Sequence, residues 1–461
     1  MTLPTYRSRA SAFAAAATLA ALTACSAGGQ VTPAPPTQLS EPSSGSHVPF
    51  TLAAPFLKRH LSGKIQHVVI IVQENRSFDD LFNGYPGANT VTSGKNSKGQ
   101  TIQLQPVGLE TQYVIDHSAD AMFSACNGTR GRNCKMNGFD KEQSFGGPAN
   151  PEYVYVPQSE TGPYFALANE FVLADNNFQS HLDESFVSHQ YLIAAQAASS
   201  VNLPLGEWGC DGGPSDTIQT LKQDRTYGSS IQACYDYTTL ADELDSAGLT
   251  WRFYTSTLTG DGGYWSAFQA VKHIRDGPDW SQDVITPQTQ FFQDVKGGNL
   301  ANVTWITPTC ENSDHVNCGG KTGPHWVGTL VNAIGRSQFW DTTAVFIVWD
   351  DWGGTYDHVA PPYEDYDGNG FRVGMLMISP YAKQGSVTHT QYESVSILKF
   401  IEDQYGLPQM AAADARAADP ANDPAAFDFT QQPRKYKKVK TDYDEAFFLN
   451  QPYDARPPDE Q

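Results

Sequence analysis

His67-Val68-Val69-Ile70-Ile71-Val72-Gln73-Glu74-Asn75-Arg76-Ser77-Phe78-Asp79 opens as an apolar run and ends as a polar cluster. A short run of β-branched residues reads as a strand buried in a sheet, and the polar residues after it emerge where the strand leaves that sheet. The same arrangement recurs far downstream, where Ala344-Val345-Phe346-Ile347-Val348-Trp349 feeds Asp350-Asp351-Trp352-Gly353-Gly354-Thr355-Tyr356-Asp357-His358. Open α/β sheets bind ligands in the crevice outside the carboxyl ends of their strands. Two acidic clusters delivered there point to an oxygen-rich metal site.

Outward from these two runs, strand-like segments recur at 171–174, 251–254, 303–307 and 373–379. Helical spacing of apolar residues appears among them at 238–247, 326–334 and 393–404. This order predicts an α/β chain, a three-layer α/β/α sandwich with a mainly parallel central sheet. Residues 84–165 and 200–235 are rich in Gly, Asn and Pro with little periodicity. They read as long loop insertions that build the rim of a site, not as a second domain.

The chain has 461 residues, 40% hydrophobic and 12% aromatic, which is ample for a substantial core. Its net charge of −20 argues against a nucleic-acid partner, whose phosphates need a basic surface. An acidic protein still binds phosphate where a bound cation sets the local field. The first residues read as an address: Arg7 and Arg9 precede an apolar stretch over 14–21, and Leu22-Thr23-Ala24-Cys25 has the pattern of a bacterial lipoprotein processing site. This predicts a signal peptide over 1–24, lipidation at Cys25 and a flexible tether over 25–55. The chain is then exported and held by its lipid to a membrane, facing the periplasm or the cell exterior. An ordinary secretory signal is the alternative, and it exports the chain as well. A catalytic domain is expected over 56–430 and a surface tail over 431–461, basic from Arg434 to Lys440 and a candidate membrane contact. Six further cysteines favour three sequence-local disulfides, Cys126–Cys134, Cys210–Cys234 and Cys310–Cys318, each closing a loop that contains Gly or Asn. None of these pairs has the C-x₂₋₄-C spacing of a zinc site.

Glu74, Asn75, Asp350 and Asp351 offer carboxylate and amide oxygens suited to Mg²⁺, Ca²⁺, Mn²⁺ or a site shared with Zn²⁺. A solvated loop or a helix cap is the ordinary reading of either pair alone. Gly353 and Gly354 add weight, because glycine lets backbone approach a ligand closely. Ser185 in Asp183-Glu184-Ser185-Phe186-Val187-Ser188-His189-Gln190-Tyr191 stands where a helical pattern begins. Backbone N–H groups there favour an anion such as phosphate, although by position alone an N-cap is the commoner role. A cation beside the hydroxyl would make it a nucleophile at neutral pH. His117, His315 and His358 are candidates to bind phosphoryl oxygens or protonate a leaving alcohol, with Asp357 and His358 expected to orient Asp350 or Asp351.

Four segments, HVVIIVQENRSFDDLF (67–82), DNNFQSHLDESFVSHQYLIAAQ (175–196), IVWDDWGGTYDHVAPP (347–362) and FRVGMLMISPYAKQGSVTHT (371–390), resemble the bacterial phosphoesterase family that contains phosphatidylcholine-type phospholipases C and a group of acid phosphatases. The resemblance runs from about Gly63 to Tyr405. It implies an alkaline-phosphatase-like core, with a divalent metal ion held by Glu74, Asn75, Asp350 and Asp351. It further implies Ser185 as a fifth metal ligand and as the nucleophile that becomes a phosphoserine, and His117 and His315 as phosphate contacts. This chain departs from the family pattern in having Asp116 directly before His117 and Asp314 directly before His315. The implied activity is hydrolysis of a phosphate ester or phospholipid, acid phosphatase-like or phospholipase C-like. The larger phospholipases of the family carry C-terminal β domains for which about 430 onward leaves no room, and this tilts the expectation towards a broad phosphomonoesterase. A sulfatase is disfavoured because Cys126-Asn127-Gly128-Thr129-Arg130 lacks the proline of C-x-P-x-R. An inactive surface-binding lipoprotein on the same scaffold is opposed by the joint presence of Glu74, Asn75, Ser185, Asp350 and Asp351.

Overall fold

The computed structural model describes residues 63–206, 208–256 and 265–454. The expected signal peptide, Cys25 and the tether lie outside the described residues. The central sheet has eight strands: β1 (His67–Gln73), β2 (Val172–Ala174), β3 (Trp251–Tyr254), β4 (Val284–Ile285), β5 (Val303–Ile306), β6 (Thr343–Trp349), β7 (Met375–Ile378) and β8 (Ser386–Thr388). Their spatial order is β4-β3-β5-β1-β6-β7-β2-β8. All neighbours run parallel except β7, which is antiparallel to both β6 and β2.

Helices α1 (Gln158–Glu170), α2 (Ser185–Ala194), α3 (Leu240–Ser246), α4 (Gln290–Gly297), α5 (Gly323–Gly335) and α6 (Ser396–Tyr405) cover the sheet. Side chains of a strand alternate between faces, so residues an odd number apart point opposite ways. In β6, Phe346 packs on Phe400 of α6 at 5.0 Å between ring centroids, whereas Trp349 packs on Tyr164 of α1 at 4.9 Å. Ile70 pairs with both Phe346 and Trp305, which places these three on one face. Trp305 donates through Nε1 to the Leu192 carbonyl of α2, so α2 and α6 share that face and α1 lies on the other. The three-layer α/β/α sandwich expected from the order of elements is the fold. With both faces covered, β1 and β6 are buried along nearly their whole length, which is why they carry apolar runs without polar alternation.

The register aligns Gln73 of β1 with Trp349 of β6, and the Asp350 N–H donates to the Gln73 carbonyl at 3.0 Å. Glu74 and Asp350 therefore leave the sheet side by side.

Two expectations need correction. The insertion at 84–165 is not all loop: it includes paired short strands and most of α1, whose sequence contains Gly162 and Pro163 and shows no apolar stripe. The expected surface tail packs along α5 instead. Val439 and Phe448 are buried, Tyr436 donates its hydroxyl to Asn332 Oδ1 at 2.8 Å, and Asn332 Nδ2 donates to the Val439 carbonyl at 3.0 Å. All three sequence-local disulfides are present. Cys126 is thereby occupied, which removes the sulfatase reading. Among the described residues no helix is long and apolar enough to cross a membrane.

Candidate active site

Three elements converge at the carboxyl edge of the sheet. β1 delivers Glu74 and Asn75, β6 delivers Asp350 and Asp351, and α2 begins at Ser185. Glu184 takes the cap position of α2, so the Ser185 side chain does not serve as the N-cap. Its Oγ instead accepts from Asn75 Nδ2 at 2.9 Å and faces Asp351 Oδ2 at 3.3 Å and Glu74 Oε2 at 3.4 Å. Asn75 Nδ2 also donates to Asp351 Oδ2 at 2.9 Å and lies 3.1 Å from His117 Nε2. Gly353 has a φ of +58°, and a Cβ there would collide with the Asn75 carbonyl oxygen. Glycine at that position is thus what lets the two loops close on each other.

One turn along α2 from Ser185, His189 points to the same centre. Its Nε2 is 2.8 Å from Glu74 Oε1 and 3.5 Å from Asp350 Oδ2. Glu74, His189 and Asp350 offer ligand atoms that all lie within 4.8 Å of one another. His189 was not singled out in the sequence, although its i+4 spacing from Ser185 puts both side chains on one helix face and was the available signal.

Glu74, Asp350 and Asp351 are each no more than 1% exposed. Burying a carboxylate costs several kcal/mol unless charge or hydrogen bonds compensate. Asp350 is the telling case, because both its oxygens are buried without a hydrogen-bond partner, and Asn75 Oδ1 is in the same state. Buried carboxylate oxygens beside an imidazole and an amide oxygen are the donor set of a divalent cation, and the residues fit one.

The other sequence candidates divide. His117 places Nδ1 3.0 Å from the Ile115 carbonyl, which fixes its proton there and turns Nε2 to the site, 3.9 Å from Asp351 Oδ2. The ring of His315 lies 5.9 Å from that of His117 and 6.2 Å from Trp265. Its Nδ1 accepts from the Asn317 N–H at 3.1 Å, so the neutral ring carries its proton on Nε2. The loop of His315 is anchored from below. Asp314 accepts from the Tyr164 hydroxyl at 2.7 Å and from Trp349 Nε1 at 2.9 Å, and burial pushes its carboxyl up to about 6. Arg76, another residue not anticipated, donates through Nε to the Asp314 carbonyl at 2.6 Å and through Nη1 to Asp80 at 3.1 Å, tying the β1 loop to the His315 loop.

Asp357 and His358 do not orient Asp350 or Asp351. His358 Nδ1 bonds Asp79 Oδ2 at 2.6 Å, and Asp357 Oδ2 accepts from Arg372 Nη2 at 3.0 Å. The physical reason is Arg372, fully buried, whose guanidinium also lies 3.3 Å from Asp79 Oδ1 and 4.5 Å from the Phe78 ring. A fixed cation already compensates this second acidic cluster, so it is a clamp and not a further metal site.

A model described as the phosphoesterase family matches residues 65–408. The chain is 26% identical over 435 residues to the hemolytic phospholipase C of Pseudomonas aeruginosa, covering 79% of this chain and 56% of that protein. It is 24% identical over 440 residues to phospholipase C B of Mycobacterium tuberculosis, covering 81% and 79% respectively. The chain thus spans little more than half the length of the Pseudomonas protein. A protein in the alkaline phosphatase superfamily from Vibrio parahaemolyticus is similar in structure at a TM-score of 0.37 and 11% identity, over 77% of this chain and 69% of that one.

Proposed function

We propose, since the chain belongs to the phosphoesterase family, that it is a divalent-metal-dependent hydrolase of phosphate esters with Ser185 as its nucleophile. The observation that carries this reading is one oxygen. Ser185 Oγ sits at a helix N-terminus, 2.9 Å from Asn75 Nδ2 and within 3.4 Å of both Asp351 and Glu74. In line with the departing oxygen, Oγ forms a bond to phosphorus as the bond to the alcohol breaks. The serine proton passes towards Asp351, and the alkoxide takes a proton from His315, whose Nε2 carries it. Water then attacks the phosphoserine from the opposite side and passes a proton to His315 as the phosphorus–Oγ bond breaks, Oγ regains its proton from Asp351, and the phosphate product leaves. When bound, a divalent cation held by Glu74, Asp350 and His189, with Asn75 and Asp351, supplies the positive charge that makes the hydroxyl nucleophilic and offsets charge on the phosphoryl oxygens. The first N–H groups of α2 add to that offset.

The names of the relatives favour a phospholipid diester, cleaved as a phospholipase C cleaves it, over the broad phosphomonoester reading suggested by chain length. A lipid anchor at Cys25 would hold the enzyme beside such a substrate, and Cys25→Ser is then expected to move it from the membrane to the soluble fraction.

A panel of phosphatidylcholine vesicles, p-nitrophenylphosphorylcholine and p-nitrophenyl phosphate, with and without chelator, tests this function. We expect hydrolysis of the two choline diesters, lost on chelation and restored by a divalent ion. Preference for the monoester would replace the lipase reading with the phosphatase one, and inactivity on all three with every metal would sink both.

A further inference from the structure

A cavity of about 650 Å³ opens between α3 and the end of α6, and it shares no lining residue with the Ser185 centre. Asp236, Asp242, Glu243 and His273 line one side. His273 bridges two of these carboxylates, with Nδ1 2.7 Å from Asp236 and Nε2 2.9 Å from Asp242. Even a charged imidazole therefore leaves this wall negative once Glu243 is added. Glu243 is 9% exposed and its Oε2 is buried without a hydrogen-bond partner. Burial, with Asp414 and Asp242 nearby, pushes its carboxyl up to about 7, the state of an acid that lacks a positive neighbour. The rest of the lining is different in kind, with Tyr237, Ala247, Leu407 and Pro408 adding ring and aliphatic surface.

A bare metal ion needs several donor atoms converging on one point. Among the described residues the groups of three His, Asp or Glu side chains that do so are Glu74–His189–Asp350 and Asp79–Asp357–His358, both elsewhere. A lining that mixes carboxylates with ring and aliphatic surface suits a cation that carries its charge on carbon-bearing nitrogen. We propose that this cavity binds an organic ammonium ion, held by Glu243 against Tyr237 and Leu407. Occupancy would place a positive charge beside the Glu243 carboxylate while the methyl or methylene groups cover the apolar part of the lining. The Tyr237 hydroxyl donates to Gln190 Oε1 at 2.6 Å, so the bound ion would rest against a ring that is hydrogen-bonded to α2.

Titration calorimetry of the full chain at pH 8 with tetramethylammonium chloride tests the site, with sodium chloride and calcium chloride at equal ionic strength as controls. Saturable binding of tetramethylammonium is expected, weakened at least about tenfold in Glu243→Gln. Ala247→Trp fills the cavity from its exposed rim and leaves every carboxylate in place, and it is expected to weaken binding to the same degree with an unchanged melting curve. If Glu243→Gln fails to fold, the tryptophan variant decides alone. Absence of saturable binding, equal binding in the folded variants, or competition by calcium at the same concentration would each overturn the proposal.

Discussion

Ser185 and His189 stand one turn apart on α2, and under the proposed function this spacing separates chemistry from cation binding. Ser185 Oγ faces Asn75, Asp351 and Glu74, whereas His189 Nε2 faces Glu74 and Asp350. Ser185→Ala is expected to keep the bound metal and lower kcat on the order of 10³-fold or more, by analogy with removal of other serine nucleophiles. Metal analysis beside single-turnover kinetics checks this, and a variant with near-normal turnover would remove Ser185 from the mechanism. His189→Ala should act on the other function, weakening metal affinity by at least about 100-fold, the upper end of what losing an outer-sphere partner costs. Its turnover should recover in excess metal, and a variant with unaltered metal affinity would show that His189 only shapes Glu74. Glu74, Asn75, Ser185, Asp350 and Asp351 were legible because each borders an apolar run or opens a helical pattern. His189 was not, since a histidine amid Phe186, Val187 and Tyr191 looks like a core residue until the serine one turn earlier is recognised as facing a site. His358 was misread for the complementary reason. Proximity in sequence to Asp350 suggested a shared task, but Arg372, which no local pattern connects to the loop, draws it to Asp79.

The strands were readable wherever burial on both faces forces an apolar run, as in β1, β5 and β6. Elements defined by what they pack against were not. α1 has Pro163 inside it and lacks an amphipathic stripe, yet it forms because Tyr164 meets Trp349 and Asp314 beneath the sheet edge. β4 pairs only as two residues, too short for a pattern. At this scale the Arg372 clamp joins the turn after β1, the loop after β6 and the approach to β7 through Asp79 and Asp357, all fully buried. Arg372→Met leaves two carboxylates without their guanidinium and is expected to destabilise the fold by about 3–5 kcal/mol. Denaturant unfolding measures this, and a loss within experimental error would mean that His358 alone neutralises the pair. α6 carries a pH-dependent counterpart. Burial and the neighbouring Asp414 push the Glu402 carboxyl up to about 10. Its folded value thus lies above the unfolded one of roughly 4.3. An acid raised in this way contributes its full stability below pH roughly 4.3 and loses it progressively as pH climbs towards the folded value. Glu402→Gln removes that loss, so the variant should gain stability over the parent steadily between about pH 5 and pH 9. Parallel melting curves across that range would show that Glu402 titrates normally.

Across the whole molecule, β1, β6 and α2 approach from different parts of the chain and meet at three buried carboxylates that repel one another. A cation bound there would consequently be a long-range tie as well as a reagent, because it adds to the contacts that Asn75, Ser185 and His189 make between α2 and the paired ends of β1 and β6. A ligand that binds only the folded state stabilises it by RT ln(1 + [L]/Kd), about 2.7 kcal/mol at a hundredfold excess over Kd. Chelation is therefore expected to lower the melting temperature of the full chain, and restoring the right divalent ion should reverse the shift. Asp350→Asn separates the two roles of that carboxylate. With no hydrogen bond to either buried oxygen, Asp350 is expected to destabilise the metal-free protein, so the amide should melt at or above the metal-free parent while responding far less to added metal. Calorimetry of parent and variant, each with metal and with chelator, gives four melting temperatures. The cradle reading requires them to cross, with the parent higher when loaded and the variant equal or higher when stripped. A chelator shift of the same size in both proteins would place the stabilising cation somewhere other than between Glu74, His189 and Asp350.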